Sequence, residues 1–434
     1  MNEISLRLEL QELPKGSLVK KSIHGKTYTY LQWREGAKIH SRYLKEDEIP
    51  EIEKGIQRRK EIEEELRKQE KHAVPLAPFT SNLSSLTGSL MEEDTCVATF
   101  ENGNLLWMDE KHVPLGILRN KDIASWLESR SIDLTRPNSR LLKKALQLPS
   151  SSDLSAVLAV NGVSLTDHYW FKPKQSKLTW KRVSYTDSAY FDLSLTGNPN
   201  DFSLSPRRSP QLTAIGSYEK GWQKKDGHWW LYKVGTKEER FSEYFIYLLG
   251  KSLSLEMAEY ALDGEYIRTK NFAEKYDFEP AESLVGDEND ESKIFQKIED
   301  AFGKDIASSY LTLISFDRLV YNMDRHNQNY GFLRDRKTGK VVSLAPNFDN
   351  NIALISRGYP FLNRSKDGLI RILKEALKKN KEMASLFSKL EWEKVTPERI
   401  ENCLSLCPLD VDKAFVKEFI LNGIKELIKL REEL

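Results

Sequence analysis

The run N-M-D-R-H-N-Q-N at residues 322–329 sets a carboxylate, Asp324, five residues ahead of an amide, Asn329. Apolar periodicity over 314–320 predicts a helix leading in, and Y-G-F-L at 330–333 predicts a strand leading out. On a loop between two such elements, the carboxylate can take the proton of an attacking hydroxyl while the amide oxygen turns back to a metal on a phosphate chain. A turn over 335–340 and a strand over 341–345 are expected next, ending in P-N-F-D-N at 346–350. Asp349, just past that strand, is where a second carboxylate would hold Mg²⁺ bridging nucleotide phosphates. Hard oxygen donors without clustered Cys or His favour Mg²⁺ over Zn²⁺.

The elements needed to position such a site lie upstream. A loop with two glycines, A-I-G-S-Y-E-K-G-W at 214–222, precedes a hairpin-like K-K-D-G and a predicted strand over 229–234 that carries Lys233 near its end. Ten residues later Glu243 falls on a predicted amphipathic helix, 241–253. A strand lysine paired with a helix glutamate aims an ammonium at phosphates. Gly216, Ser217 and Lys220 of the loop, with Lys233 and Glu243, are the expected nucleotide-binding residues. Each feature alone also reads as ordinary structure, such as a turn capped by Asx hydrogen bonds or a snorkelling lysine. Their order is what carries the reading: glycine loop, strand lysine, helix glutamate, D-x-x-x-x-N, strand-end Asp. No G-x-x-x-x-G-K-[ST] is present, which argues against a P-loop ATPase.

The segments L-Y-K, S-E-Y-F-I-Y-L-L, N-M-D-R-H-N-Q-N-Y-G-F and L-A-P-N-F-D-N resemble those of the HipA-like protein kinases, over roughly residues 95–434 and most specifically over 216–349. The resemblance implies a two-lobed, protein-kinase-like α+β fold with ATP and Mg²⁺ in a cleft and a mainly helical C-terminal lobe. It implies Asp324 as catalytic base, Asn329 and Asp349 as Mg²⁺ ligands, Lys233 on the α/β-phosphates, Glu243 orienting Lys233, and His326 buttressing the loop. Members of the family include toxins that phosphorylate aminoacyl-tRNA synthetases, so a translation component is among the protein substrates it suggests. Some members autophosphorylate on a serine near the glycine loop, which ejects the loop. Ser203, Ser205, Ser209 and Ser217 are the corresponding candidates here.

The chain has 434 residues, 39% hydrophobic, with 66 Lys and Arg against 65 Asp and Glu. That excludes wholesale disorder and a uniformly basic nucleic-acid coat. Three cysteines exclude a disulfide scaffold and suit a reducing cytosol. Apolar runs are too short for a membrane span, and no signal-peptide pattern opens the sequence. Cys403 and Cys407 are expected in the core rather than on a metal, and Asp167-His168-Tyr169-Trp170 in an aromatic cluster. The expected organisation is an N-terminal module (1–73), a linker (74–94), a kinase N-lobe with the glycine loop (95–262) and a catalytic C-lobe (263–434).

The module has its own character: a predicted β-hairpin over 25–44, then a charged helix over 46–71 with one thin apolar stripe. Eight basic residues fall between 15 and 45 against one acid, Glu35, interleaved with Tyr28, Tyr30, Trp33 and Tyr43. Such a hairpin either binds nucleic acid, in a groove or by base stacking, or packs its aromatics on the following helix. The helix also carries a coiled-coil reading. For the whole chain, the leading function is an ATP-dependent protein serine/threonine kinase. A small-molecule kinase on the same scaffold and a nucleic-acid-binding regulator with a nucleotide-sensing domain are the alternatives.

Overall fold

Alternation over 26–35 forms a strand, and the computed structural model extends the expected hairpin to three strands: β1 (Ser17–Ile23), β2 (Lys26–Glu35) and β3 (Lys38–Tyr43), antiparallel in that order. The structure describes residues 6, 9, 10, 12–23, 26–35, 38–72, 86–132, 136–148, 153–198 and 206–434. The chain divides into two units, residues 1–75 with 200–207, and residues 76–199 with 208–434.

In the first unit, helix α1 (Ile49–His72) covers one face of the sheet. Leu31, Leu44 and Ile56 form the core there, with Leu18, Trp33, Ile49 and Ile52 against it. Further along α1, Ile62 and Leu66 pack on Leu6. The thin apolar stripe of the helix is therefore consumed inside the unit, which removes the basis for a coiled coil.

Among its described residues the second unit holds three antiparallel sheets. The first has the order β6-β5-β4-β7, from β4 (Gly88–Glu92), β5 (Thr95–Glu101), β6 (Asn104–Met108) and β7 (Tyr169–Pro173). Strand β4 corrects the linker expectation for 74–94. It pairs on both sides, with β5 and β7, and Leu90, Met91 and Glu92 are all buried. A strand buried on both faces shows no period-two pattern to read. The helix expected over 120–128 is two helices, α2 (Leu115–Asn120) and α3 (Ile123–Glu128). Lys121 breaks them with a left-handed backbone, and the Asp122 side chain caps the second.

The second sheet, β10-β11-β9-β8, comprises β8 (Lys220–Lys225), β9 (His228–Lys233), β10 (Tyr260–Asp263) and β11 (Tyr266–Lys270). The third is β12 (Asp277–Pro280), β13 (Gly331–Arg334) and β14 (Val341–Leu344). Helix α4 (Lys237–Ser252) follows β9; α5 (Glu291–Phe302) and α6 (Lys304–Val320) precede the 322–329 loop. Buried Phe241, Phe245, Phe295, Phe316 and Leu319 join these helices to the C-terminal ones in one core, which also takes Cys403 and Cys407.

Tyr169 and Trp170 are buried in β7, in line with the expected aromatic cluster. The polar pair ahead of them is structural: Asp167 takes a bidentate bond from Arg130 at 2.8 and 2.8 Å, and the His168 ring lies 2.8 Å from Asp277.

A carboxyl pair ties the first sheet to the third. Glu92 hydrogen-bonds to Asp277, whose Oδ1 already accepts from the His168 backbone at 2.8 Å. Burial, then the bond and charge of Asp277, push the Glu92 pKa up to about 9, against the pull of Arg334 and Arg336. The folded state therefore binds a proton that the unfolded chain has released above the ordinary glutamate range. Stability is full below about pH 4.5 on this account and falls as pH rises towards about 9. Glu92→Gln, whose amide donates without taking up a proton, is expected to flatten that decline and raise the urea midpoint at pH 8. Parallel pH profiles of the two proteins with equal slopes would refute the shared proton.

Candidate active site

Lys233 ends β9, and the chain turns directly into α4, whose start is fixed by a capping box between Thr236 and Glu239. Ten residues on, Glu243 faces inward and is fully buried. Lys233 Nζ lies 3.2 Å from Glu243 Oε1 and 2.6 Å from Asp349 Oδ1. The Tyr260 hydroxyl donates to Glu243 Oε1 at 2.6 Å and accepts from the Asp349 backbone N–H at 3.0 Å, so one tyrosine holds both carboxylate-bearing segments. Burial alone would discharge Lys233, but Asp349 and Glu243 outweigh it and hold the ammonium well above the ordinary lysine range. Burial likewise opposes the charge on Asp349, and Lys233, Lys220 and Arg325 hold it far below the usual carboxylate range. Asp349 sits in the left-handed region at φ 61°, which aspartate tolerates better than most residues.

The 322–329 loop follows α6, which ends on a left-handed Tyr321. Asn329 Nδ2 donates to the Asp324 carbonyl at 2.8 Å and lies 3.5 Å from Asp324 Oδ2. With the nitrogen turned to Asp324, the amide oxygen is the atom offered to the cleft, where Asn329 and Asp349 both form part of the wall.

Arg325 is the post on which this loop stands. Its guanidinium makes a fork–fork pair with Asp317 at 2.9 and 3.0 Å, and reaches the carbonyls of Asn329 and Phe348, both at 2.6 Å, and the side chains of Asn347 and Asn350, both at 2.8 Å. One planar group thus joins helix α6, the D-x-x-x-x-N loop and the N-F-D-N segment. His326, by contrast, is exposed at the cleft and accepts only within its own loop, from Gln328 N–H at 3.3 Å. The buttressing expected of His326 is supplied by its neighbour, because only the buried residue can reach both segments.

Gly216 has φ 110°, a backbone conformation that L side chains rarely adopt and that favours glycine, and Lys220 Nζ occupies the space a Cβ would take, 2.4 Å away. Lys220 Nζ donates to the Ile215 carbonyl at 2.9 Å, and burial pushes its pKa down to about 8. Arg136, buried, clasps both ends of the loop through the carbonyls of Ala214, at 3.2 Å, and Lys220. Ser217 is exposed on the loop, whereas Ser209 is buried and caps the short helix Pro210–Thr213. Ser203 and Ser205 lie outside the described residues.

These parts enclose a cleft of about 540 Å³. Gly216, Ser217, Lys220, Lys233, Asp324, His326, Asn329 and Asp349 all line it, and Glu243 stands behind Lys233. Beside the ionic cluster stands an aromatic wall of Phe272, Phe278 and Phe348, with ring centroids 5.4 to 5.7 Å apart. The buried Thr269 hydroxyl, which has no protein partner, also faces this cleft. The shape suits a flat heteroaromatic group on the phenylalanines and a phosphate chain on the lysines. Among the described residues no group of three His, Cys, Asp or Glu side chains could cage a metal. Asn329 and Asp349 alone are an incomplete set, as suits a Mg²⁺ that takes its remaining ligands from phosphates and water.

Sequence reasoning missed Arg325, Asp317, Tyr260, Arg136 and the aromatic wall. Asp317 left a trace, since a carboxylate inside the apolar run L-T-L-I-S-F-D-R-L-V implies a buried partner.

Residues 2–54 match the model of a family described as a domain of unknown function, DUF6788. A search of curated proteins finds no match. Among solved structures, the chain is similar to the Helicobacter pylori proinflammatory kinase CtkA, with 17% identity over 49% of this chain and 93% of that one and a TM-score of 0.41. It is also similar to HipA of Shewanella oneidensis MR-1, solved with HipB and its operator DNA, with 13% identity over 80% of this chain and 97% of that one and a TM-score of 0.53. The likeness to HipA shows that the fold is HipA-like, a kinase-like scaffold of mixed α and β structure. No helix among the described residues is long and apolar enough to cross a membrane.

Removing the Arg325 post leaves Asp317 buried and unpaired. Arg325→Met is expected to lower the unfolding free energy by about 3–5 kcal/mol. Adding Asp317→Asn should recover a large part of it, which urea unfolding of the single and double variants would measure.

Proposed function

We propose that the chain is an ATP- and Mg²⁺-dependent protein serine/threonine kinase of the HipA type. The observation that carries this reading is the Lys233 ammonium bonded to Glu243 and Asp349 in the same cleft as the Asp324–Asn329 pair. In this reading residues 95–262 and 263–434 act as the two lobes flanking the cleft.

The adenine ring packs on Phe272, Phe278 and Phe348, with the Thr269 hydroxyl at the cleft wall. Lys233 and Lys220 place their positive charge on the phosphate oxygens, and Glu243 keeps Lys233 extended towards them. Asn329 and Asp349 are the residues that hold Mg²⁺, which when bound supplies charge neutralisation between the phosphates. Asp324 orients the acceptor hydroxyl and takes its proton as the oxygen bonds to the γ-phosphorus; the bond to the β–γ bridging oxygen breaks and ADP leaves. Most of the acceleration in this scheme is positioning and electrostatics. Among the described serines near the loop, Ser217 is the one exposed for autophosphorylation, while Ser209 is enclosed. The HipA structure was solved with HipB and operator DNA, and on that likeness we assign this chain a toxin-type role with a protein substrate.

Incubation with γ-labelled ATP, Mg²⁺ and cell extract tests the assignment. Asp324→Ala should lower incorporation about 10²–10⁴-fold, and Asp349→Asn should abolish it, with both variants folded by circular dichroism. Full labelling by either folded variant would sink the reading. ATP turnover driven by a metabolite, with no labelled protein, would replace the protein acceptor with a small molecule.

A further inference from the structure

Register, burial and charge mark out the face of the N-terminal sheet that lies away from α1. On one side of the sheet the cross-strand partners include three central rows, Ser17–Gln32–Ser41, Val19–Tyr30–Tyr43 and Lys21–Tyr28, continued by the pairs Arg34–Ile39 and Ile23–Lys26 at the two ends. They alternate with Leu31 and Trp33, which pack towards α1, so all three rows lie on the side away from the helix. The tyrosines therefore do not serve the module's core, and the packing alternative raised by the sequence applies to Trp33 alone. Tyr43 meets Tyr28 and Tyr30 edge-on at 6.0 and 5.7 Å and is 50% exposed; Lys21 Nζ lies 4.7 Å from the Tyr30 ring. These rows contain no acid, in a segment with eight basic residues between 15 and 45 against one acidic.

We propose that this face binds single-stranded RNA, stacking bases on Tyr28, Tyr30 and Tyr43 and pairing backbone phosphates with Lys21 and the neighbouring lysines. Three considerations select that occupant. Positive charge with no acid on the face fits a polyanion and disfavours an acid-neutral peptide groove. Groove readers of duplex DNA rely on Arg, Asn and Gln forks to base edges, and by register this side carries two such residues, Gln32 and Arg34, against three aromatic rings. Stacking on aromatics is how unpaired bases are held. The serine–glutamine row and the tyrosine hydroxyls add donors and acceptors that meet a ribose 2′-hydroxyl, the group that separates RNA from DNA. The proposal stands apart from the kinase reading, since none of these residues belongs to the cleft.

Fluorescence anisotropy of the full chain with a labelled, mixed-sequence 20-nucleotide RNA tests it, beside single-stranded and duplex DNA of the same sequence. The expected result is tightest binding to the RNA, weakening as salt rises. Tyr43→Ala should weaken it about tenfold or more, Tyr43→Phe should leave stacking and most of the affinity intact, and Lys21→Gln should make the salt dependence shallower. Tyr43 is half exposed, so its truncation leaves the unit's core untouched; unchanged circular dichroism checks this. No binding at low salt, equal or tighter binding of either DNA, or full affinity in Tyr43→Ala would each overturn the proposal. Self-labelling with γ-labelled ATP is expected to be unchanged in Tyr43→Ala.

Discussion

The second unit is organised around one buried cation. An ammonium removed from water is tolerated only with anionic partners at bonding distance, and Lys233 has two of them, Glu243 and Asp349, from different parts of the chain. That requirement dictates more than a local contact. It sets the length of the β9–α4 connection, so that Glu243 returns beneath the strand end. It also holds the N-F-D-N segment against β9 across 116 positions of sequence. Tyr260 adds a third strap by bonding to both acidic segments, and its own burial keeps the hydroxyl protonated as the donor to Glu243.

Guanidinium groups do the corresponding work for the loops. A loop rich in Asn, Asp and Gln has many local hydrogen bonds available to it and no intrinsic reason to choose one shape. Arg325 removes the choice by engaging helix, loop and N-F-D-N segment at fixed angles, which a lysine with a single point charge does not do. Arg136 performs the same service for the glycine loop by holding the carbonyls at both its ends. The flexible, polar parts of the site are thus borrowed from rigid, buried ones. Breaking such a buried arginine pair by removing one partner costs far more than replacing the whole pair by well-packed apolar residues.

What could be read from the chain follows from this division. Lys233 and Glu243 are ten residues apart, and Asp324 and Asn329 five, so the spacing of these local pairs carries the chemistry. Asp349 follows a short apolar strand set off by the turn before it, which the sequence displays. Arg325 sits inside the legible motif, yet its role depends on Asn347, Phe348 and Asn350, more than twenty residues away, and no periodicity encodes such a meeting. The same holds for the aromatic wall, assembled from a connection after β11, from β12 and from the segment after β14. Strand β4 escaped because it is central and buried on both faces. In the N-terminal unit the hairpin was legible from its alternation, but which aromatic faced the helix was settled by Leu31 and Leu44 packing on Ile56.

The two units also differ in how their charge is deployed. The whole chain carries a net charge of +1, whereas residues 15–45 alone carry +7, so the remainder stands at −6. Most of that acid lies in the same unit, since residues 1–75 carry 16 Lys and Arg against 14 Asp and Glu, so a near-neutral total conceals a basic sheet followed by its own acidic helix. In the second unit positive charge is concentrated where it is enclosed, on Lys220, Lys233, Arg136 and Arg325, each neutralised or bonded by the protein itself. In the first unit the exposed Lys21 instead lies beside the half-buried Tyr30 ring. Buried cations of the first kind define geometry for a small, fixed ligand, and exposed ones beside aromatics suit a long, flexible polyanion. On the two proposals made above, the same residue type would serve two different recognition problems, with burial as the variable that separates them.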